Sequence, residues 1–185
     1  DWEADWGDEE GVIGKKVKVS LADMDVTRWK EDLEEDLAVL HTLWSKVVDV
    51  RGDKDEKLQR LLALIDQKAK KPFNPDNAKV IVFTAFADTA NYLYEHCGAH
   101  VREVHGRNST VITGSKRISS DKGIPADLNV LLSCFSPRSK QRDDLYPGLS
   151  NANIDLLIAT DCISEGQNLQ DCDYLINYDI HWNPV

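Results

Sequence analysis

The tightest constraint on what this chain can fold into lies near its C-terminal end. Two apolar runs, Leu156 to Ala159 and Tyr174 to Tyr178, flank a polar segment that holds a single glycine, Gly166. Each run is too short for a helix and suits a buried strand. Uninterrupted apolar runs fit a parallel sheet covered on both faces, so the two are expected to be neighbouring core strands. In such sheets ligands meet the loops at the carboxyl ends of the strands, which makes Thr160 to Gln170 the first segment to search for a binding site.

The residues in and after that segment carry a resemblance. ATDCISEGQNLQ followed by LINYDIHWNP resembles motif V and the next strand in the second RecA-like domain of superfamily-two helicases, especially the Swi/Snf-type DNA translocases. Thr160, Asp161, Gly166, Asn168, Asp179, Trp182, Asn183 and Pro184 all fall in register with the family pattern. Earlier in the chain KVIVFTAF, from Lys79 to Phe86, resembles helicase motif IV, and Thr113-Gly114-Ser115 is similar to the small-residue turn that grips a phosphate in family members. Asp161 together with Glu165 is closer to bacterial helicase-like proteins than to chromatin remodellers, and the stretch from Gly114 to Phe135 departs from the remodeller pattern.

The resemblance implies an α/β fold: a RecA-like three-layer sandwich with a mostly parallel central sheet, plus an N-terminal helical lead-in. It also implies a chain organised as an acidic mobile start and extended arm (1–24), two amphipathic helices (25–71) and a truncated helicase C-terminal RecA-like domain (72–185). Thr84, Thr113, Gly114, Ser115, Lys116 and Thr160 become the candidate contacts to a nucleic-acid backbone. Backbone N–H groups at a small-residue turn bind anions directly, and contacts to phosphate position a polynucleotide without reading its bases. Glu165, Gly166 and Asn168 would line the nucleotide side of a cleft for ATP, with Mg2+ and the β- and γ-phosphates held mainly by an absent first lobe. The implied partners are nucleic acid, double-stranded DNA first, and the first RecA-like lobe of the same parent chain.

Bulk properties agree with part of this. With 185 residues, 42% of them hydrophobic, the chain can bury a sizeable core. No apolar run approaches a membrane span and no signal peptide is visible, so no membrane partner and a cytoplasmic location are expected. Cys97, Cys134, Cys162 and Cys172 have neither zinc-site spacing nor the density of a disulfide scaffold, and read as reduced core thiols. A formal net charge of -10 argues against a broad surface that coats nucleic acid. The acid is concentrated early, with six of the first eleven residues Asp or Glu.

Taken in order, Lys15 to Val19 suggests a short strand or arm after the acidic start. From Asp25 to Val50, Trp29, Leu33, Leu37, Leu40, Trp44 and Val47 recur at helical spacing. A second helix with Leu58, Leu61, Leu62 and Ile65 as its stripe is expected after Gly52, started by a capping box of Asp53 and Glu56. Both helices are expected to lie against the main domain. A strand at Lys79 to Phe83 leads to a helix from Asp88 to Cys97 that Gly98 stops, with Phe86 read as a core residue. Thr110 to Thr113 suggests another strand. Pro125 opens a helix whose Leu128, Leu131, Leu132 and Phe135 share a face, and Arg138, Lys140 and Arg142 follow as a possible extension of a phosphate track, partly cancelled by Asp143 and Asp144.

The sequence holds no G-x-x-x-x-G-K-[ST] loop and no arginine-bearing motif after Trp182-Asn183-Pro184. No catalytic residue and no metal-ligating set is assigned, the five histidines included. The chain by itself is therefore expected not to hydrolyse ATP. The alternative is a helicase-fold interaction or regulatory module without catalysis, for which the acidic first half is the best support.

Overall fold

The computed structural model describes residues 12–13, 17–50, 52–160, 163 and 167–179. The chain divides into two compact units, Asp1–Lys54 and Asp55–Val185.

In the first unit, strands β1 (Val12–Ile13) and β2 (Val19–Ser20) pair antiparallel. Helix α1 (Val26–Val47) begins where Asp25 Oδ1 accepts the Arg28 N–H at 3.1 Å, a cap for an otherwise unpaired donor. The helical spacing of its apolar stripe was legible, but no residue of α1 is buried. Trp29, Leu33, Leu37, Leu40, Trp44 and Val47 are all exposed.

The second unit is built on a five-stranded sheet. Its strands are β3 (Val80–Phe83), β4 (Ser109–Ile112), β5 (Arg117–Ser119), β6 (Leu156–Ala159) and β7 (Leu175–Asn177), in the order β5-β4-β6-β3-β7. β4, β6, β3 and β7 run parallel and β5 is antiparallel to β4. Side chains alternate across a strand, so each central strand feeds both faces. Val80, Val82, Val111, Leu156 and Ile158 face helices α2 (Glu56–Lys70) and α3 (Ala87–His105), whose Leu58, Leu61, Ile65, Ala90, Leu93, Cys97 and Val101 complete that core. Ile81, Ile112, Leu157 and Ala159 face the opposite way, onto α4 (Leu128–Phe135) with Leu131, Leu132 and the fully buried Phe135. Fully burying such a side chain contributes about 1.5–3 kcal/mol, so these two layers supply most of the driving force. The expected three-layer α/β sandwich with a mostly parallel sheet is present.

Four local expectations need correction. The two C-terminal apolar runs are not neighbours: β3 lies between β6 and β7, and β7 is an edge strand with Leu175 54% exposed. An apolar run of this length does not reveal whether both of its edges are paired. Gly98 does not stop α3, which continues to His105 and ends at Gly106 in the left-handed conformation (φ 63°), where the Gly106 N–H reaches the carbonyls of Arg102 and Val101. Gly98 is instead the point where α3 approaches β4: a Cβ there would sit 2.8 Å from Ser109 Oγ. The cap of α2 is Asp55, not Asp53, with Oδ1 accepting the Leu58 N–H at 2.9 Å. Its other oxygen accepts the Tyr92 hydroxyl at 2.9 Å, which fastens α2 to α3. Finally, α4 starts after Asp127, whose Oδ1 accepts from Asn129 and Val130 N–H, so Pro125 precedes the helix.

Among the described cysteines, Cys97 and Cys134 are buried thiols and Cys172 is half-buried. Burial pushes the Cys97 thiol up to about 12. Cys162 lies outside the described residues.

Candidate nucleic-acid and nucleotide interface

The parallel strands all deliver their carboxyl ends to one edge of the sheet. Phe83 is level with Ala159 and Asn177, and Ala159 is level with Ile112. The next residue of each strand is therefore also in line: Thr113, Thr160, Thr84 and Tyr178, at the roughly 4.8 Å spacing of adjacent strands. Three of the six candidate backbone-contact residues thus fall in one row, although they come from segments separated by some tens of residues.

Their surroundings differ. Thr84 is 2% exposed, and its hydroxyl donates to Asp179 Oδ2. The same carboxylate oxygen accepts the Ala85 N–H at 3.2 Å, while Oδ1 accepts from Lys57 Nζ at 3.2 Å. Lys57 also lies over the Tyr178 ring, 3.9 Å from its centroid. Burial by itself would raise the Asp179 carboxyl, but the hydrogen bonds from Thr84, Lys57 and the Ala85 N–H outweigh it and hold Asp179 below the usual carboxylate range. Tyr178 is pushed up to about 12, first by burial and then by the nearby Asp55. This end of the row is an internally satisfied brace with its negative charge matched by a lysine.

Thr113 is likewise buried, and its oxygen organises the turn that follows. Lys116 N–H donates to Thr113 Oγ1 at 3.0 Å and Ser115 N–H at 3.4 Å, while the Thr113 N–H donates to the Lys116 carbonyl at 2.8 Å. The result is a tight hairpin between β4 and β5 with Gly114 and Ser115 exposed at its tip and Lys116 half-buried beside them. Thr160 is half-buried, its N–H bonded to the Ile112 carbonyl at 3.2 Å. Phe86, expected in the core, is 57% exposed at the start of α3. Phe86 stands three residues past the end of β3, at the cap position before α3 and beyond the packed layers of the sheet.

Along the other side of β3, an open groove of about 700 Å3 is lined by Phe83, Ile163, Gln167, Asn168, Leu169 and Tyr174 among others. Asn168 is exposed there. Glu165 and Gly166, the other two expected nucleotide contacts, lie outside the described residues, as do Asp161, Trp182, Asn183 and Pro184.

Of the basic residues in the loop after α4, Arg142 is turned inward and does not extend a phosphate track. Arg142 is 5% exposed and serves the protein: Nη1 donates to the Ala152 carbonyl and to Asn153 Oδ1 at 2.6 and 3.0 Å, and Nη2 to the Ser150 carbonyl at 2.5 Å. Lys140 donates to Gln167 at 2.7 Å. The Arg138 and Ser139 N–H groups donate to Asp171 at 2.7 and 3.0 Å, and the Ser139 hydroxyl donates to it as well. Sequence reasoning assigned no bracing role to Asp179, which holds the end of β3, or to Asp171, which holds this loop. Asp179 was visible only as part of a pattern, and Asp171 had no local signal, because its partners lie 32 and 33 residues away.

A mostly parallel sheet covered by helices on both faces, with polar, small-residue loops gathered along its carboxyl edge, defines the class: a three-layer α/β domain, of a kind whose ligands are generally met at the ends of the strands. The particular family follows from comparison. Residues 53–185 match the helicase conserved C-terminal domain, and the chain belongs to that family. Over 44 residues it is 46% identical to the Bacillus subtilis (strain 168) protein described as "Uncharacterized ATP-dependent helicase YqhH"; the match covers 24% of this chain and 8% of that protein. Among solved structures, a variant of S. cerevisiae Dbp5 bound to RNA and ADP BeF3 aligns at 20% identity over 69% of this chain and 24% of the other, with a TM-score of 0.38. At that score the likeness adds nothing to the sheet topology described above. No described helix is long and apolar enough to cross a membrane.

Proposed function

We propose that this chain is the C-terminal motor lobe of an ATP-dependent DNA helicase or translocase of the Swi/Snf type, from a bacterial, cytoplasmic parent. The observation that carries the reading is the row Thr113, Thr160, Thr84 past the carboxyl ends of three adjacent parallel strands. Within it the roles divide. Gly114, Ser115, Lys116 and Thr160 meet phosphate oxygens on one strand of duplex DNA, because they are the exposed or half-buried members. Thr113 and Thr84 hold the loops in shape through their hydroxyls. Asn168, with Glu165 and Gly166, forms one wall of the ATP cleft, where a glycine permits close backbone approach. Mg2+ and the terminal phosphates belong mainly to a first RecA-like lobe, and closure of the two lobes on ATP would shift one set of backbone contacts relative to the other. The chain alone does not hydrolyse ATP, since it has no phosphate-cradling loop of the P-loop kind and an arginine finger is commonly worth about a thousandfold or more in phosphoryl transfer.

The test is a salt titration of duplex binding by the purified chain. Weak affinity that falls with salt is expected, and Thr160→Ala combined with Lys116→Ala should reduce it. Removing the lysine contact should lower the slope of log K against log salt by about 0.9. Affinity independent of salt, or unchanged in the double variant, would count against the reading.

A further inference from the structure

We propose that Asp66, His100 and His105 form a binding site for a divalent transition-metal ion of the Zn2+ type, clipping α2 to α3. His100 Nε2 and His105 Nε2 each lie 2.7 Å from the same oxygen, Asp66 Oδ1, and one ligand atom from each of the three residues lies within 4.8 Å of the others. The two rings are edge-on, with centroids 6.1 Å apart and an interplanar angle of 77°, so they converge on the carboxylate and do not stack on each other. Zn–N and Zn–O bonds of about 2.0–2.2 Å around a tetrahedral ion put ligand atoms roughly 3.4 Å apart. Each imidazole nitrogen, now 2.7 Å from the carboxylate oxygen, would have to move away from it by about 0.7 Å to reach that arrangement.

The donor set selects the kind of ion. Two imidazole nitrogens and one carboxylate oxygen suit Zn2+ and its transition-metal neighbours, whereas Mg2+ and Ca2+ demand a cage of oxygens. Three protein ligands leave one position for water, and the side chains are partly open to solvent (25% for Asp66, 25% for His100, 12% for His105), which provides an entry path. Of the two arginines nearest in sequence, Arg102 donates to Asn108 Oδ1 and the Ser120 carbonyl at 3.3 and 3.0 Å, and Arg107 pairs with Asp155 at 3.3 Å. The i, i+4 pair in the sequence is His96 and His100, yet His96 packs against the Tyr92 ring, 4.5 Å between centroids. The functional pair is five residues apart on α3 and is completed from another helix. The clip would act on stability by adding a direct α2–α3 link to the packing of Leu58, Leu61 and Ile65, the Asp55–Tyr92 hydrogen bond and the Lys57–Asp179 and Lys68–Asp173 ion pairs.

The experiment uses the full chain stripped with EDTA and titrated with ZnCl2, read by calorimetry and by thermal melting. One equivalent should bind and raise Tm, EDTA should reverse the rise, and Mg2+ or Ca2+ at the same concentration should not reproduce it. Asp66→Asn, His100→Gln and His105→Gln should each weaken Zn2+ binding at least tenfold, while His96→Gln should leave it unchanged. Circular dichroism of the metal-free variants identifies any that fail to fold. Co2+ substitution guards against binding by cysteine: a spectrum without a thiolate charge-transfer band supports the site, and a strong band overturns it. No Zn2+-dependent rise in Tm of the folded wild-type chain, or full Zn2+ affinity in a folded His100→Gln/His105→Gln double variant, would also overturn it.

Discussion

The Thr84 hydroxyl donates to the Asp179 carboxylate and thereby ties the end of β3 to the end of β7. Two residues 95 positions apart in sequence thus set the shape of the loop that starts α3, and the same carboxylate draws in the Ala85 N–H and Lys57.

Asp179→Ala leaves the Thr84 hydroxyl buried without its acceptor. A buried unsatisfied donor costs about 1–3 kcal/mol, and urea denaturation should register a loss of that size. In a Thr84→Val background the orphan is gone, so the same substitution should cost less. Equal costs in the two backgrounds would mean that the bond carries no coupling.

Gly98→Ala should destabilise, because its Cβ would meet Ser109 Oγ at 2.8 Å in a fully buried position, and overpacking typically costs about 1–3 kcal/mol. Ser109→Ala removes the obstructing atom, one with no hydrogen-bond partner among the described residues. In that background alanine's helix propensity should prevail and Gly98→Ala should stabilise by roughly 0.5–1 kcal/mol. The sign reversal is read directly from two pairs of denaturation curves.

Arg142→Lys should lower stability by about 2 kcal/mol or more, since a lysine cannot serve the Ser150 and Ala152 carbonyls and Asn153 with one planar fork. Because this guanidinium is enclosed, the salt dependence of nucleic-acid binding should not change. A reduced salt slope in Arg142→Lys would return the residue to the phosphate track.

Acid should unfold the protein through a small set of carboxylates. Asp66, Asp171, Asp173 and Asp179 are each pushed up by burial but held lower still by hydrogen bonds. Groups with lowered folded values contribute stability that is fully present above the unfolded value of about 3.9 and is lost as pH falls through the folded value. The urea midpoint should therefore respond little to these groups between pH 7 and about 5 and decline below about pH 4. Asp171→Asn should lose stability at pH 7 and show a shallower acid decline, because the Arg138 and Ser139 N–H groups then lose their charged acceptor.

The sequence by itself determined the elements and their class. Leu156 to Ala159 and Val80 to Phe83 are apolar without interruption, which suits only strands with a layer on each face, and both are central in the sheet. The stripes of α2 and α4 follow from spacing alone, and the threonines and the Gly114-Ser115 turn stand out because small polar residues punctuate strand ends. Tertiary structure alone decided which strand lies beside which, since β7 carries the same kind of apolar run as β6 yet ends at an edge. It also decided what Gly98 is for, because a glycine inside a helix is explained only by what passes close to it. The partners of Asp179, Asp171 and Asp66 were settled the same way, because a carboxylate's role depends on which donors the fold brings within about 3 Å, and donors 30 to 120 residues distant leave no periodic trace in the chain.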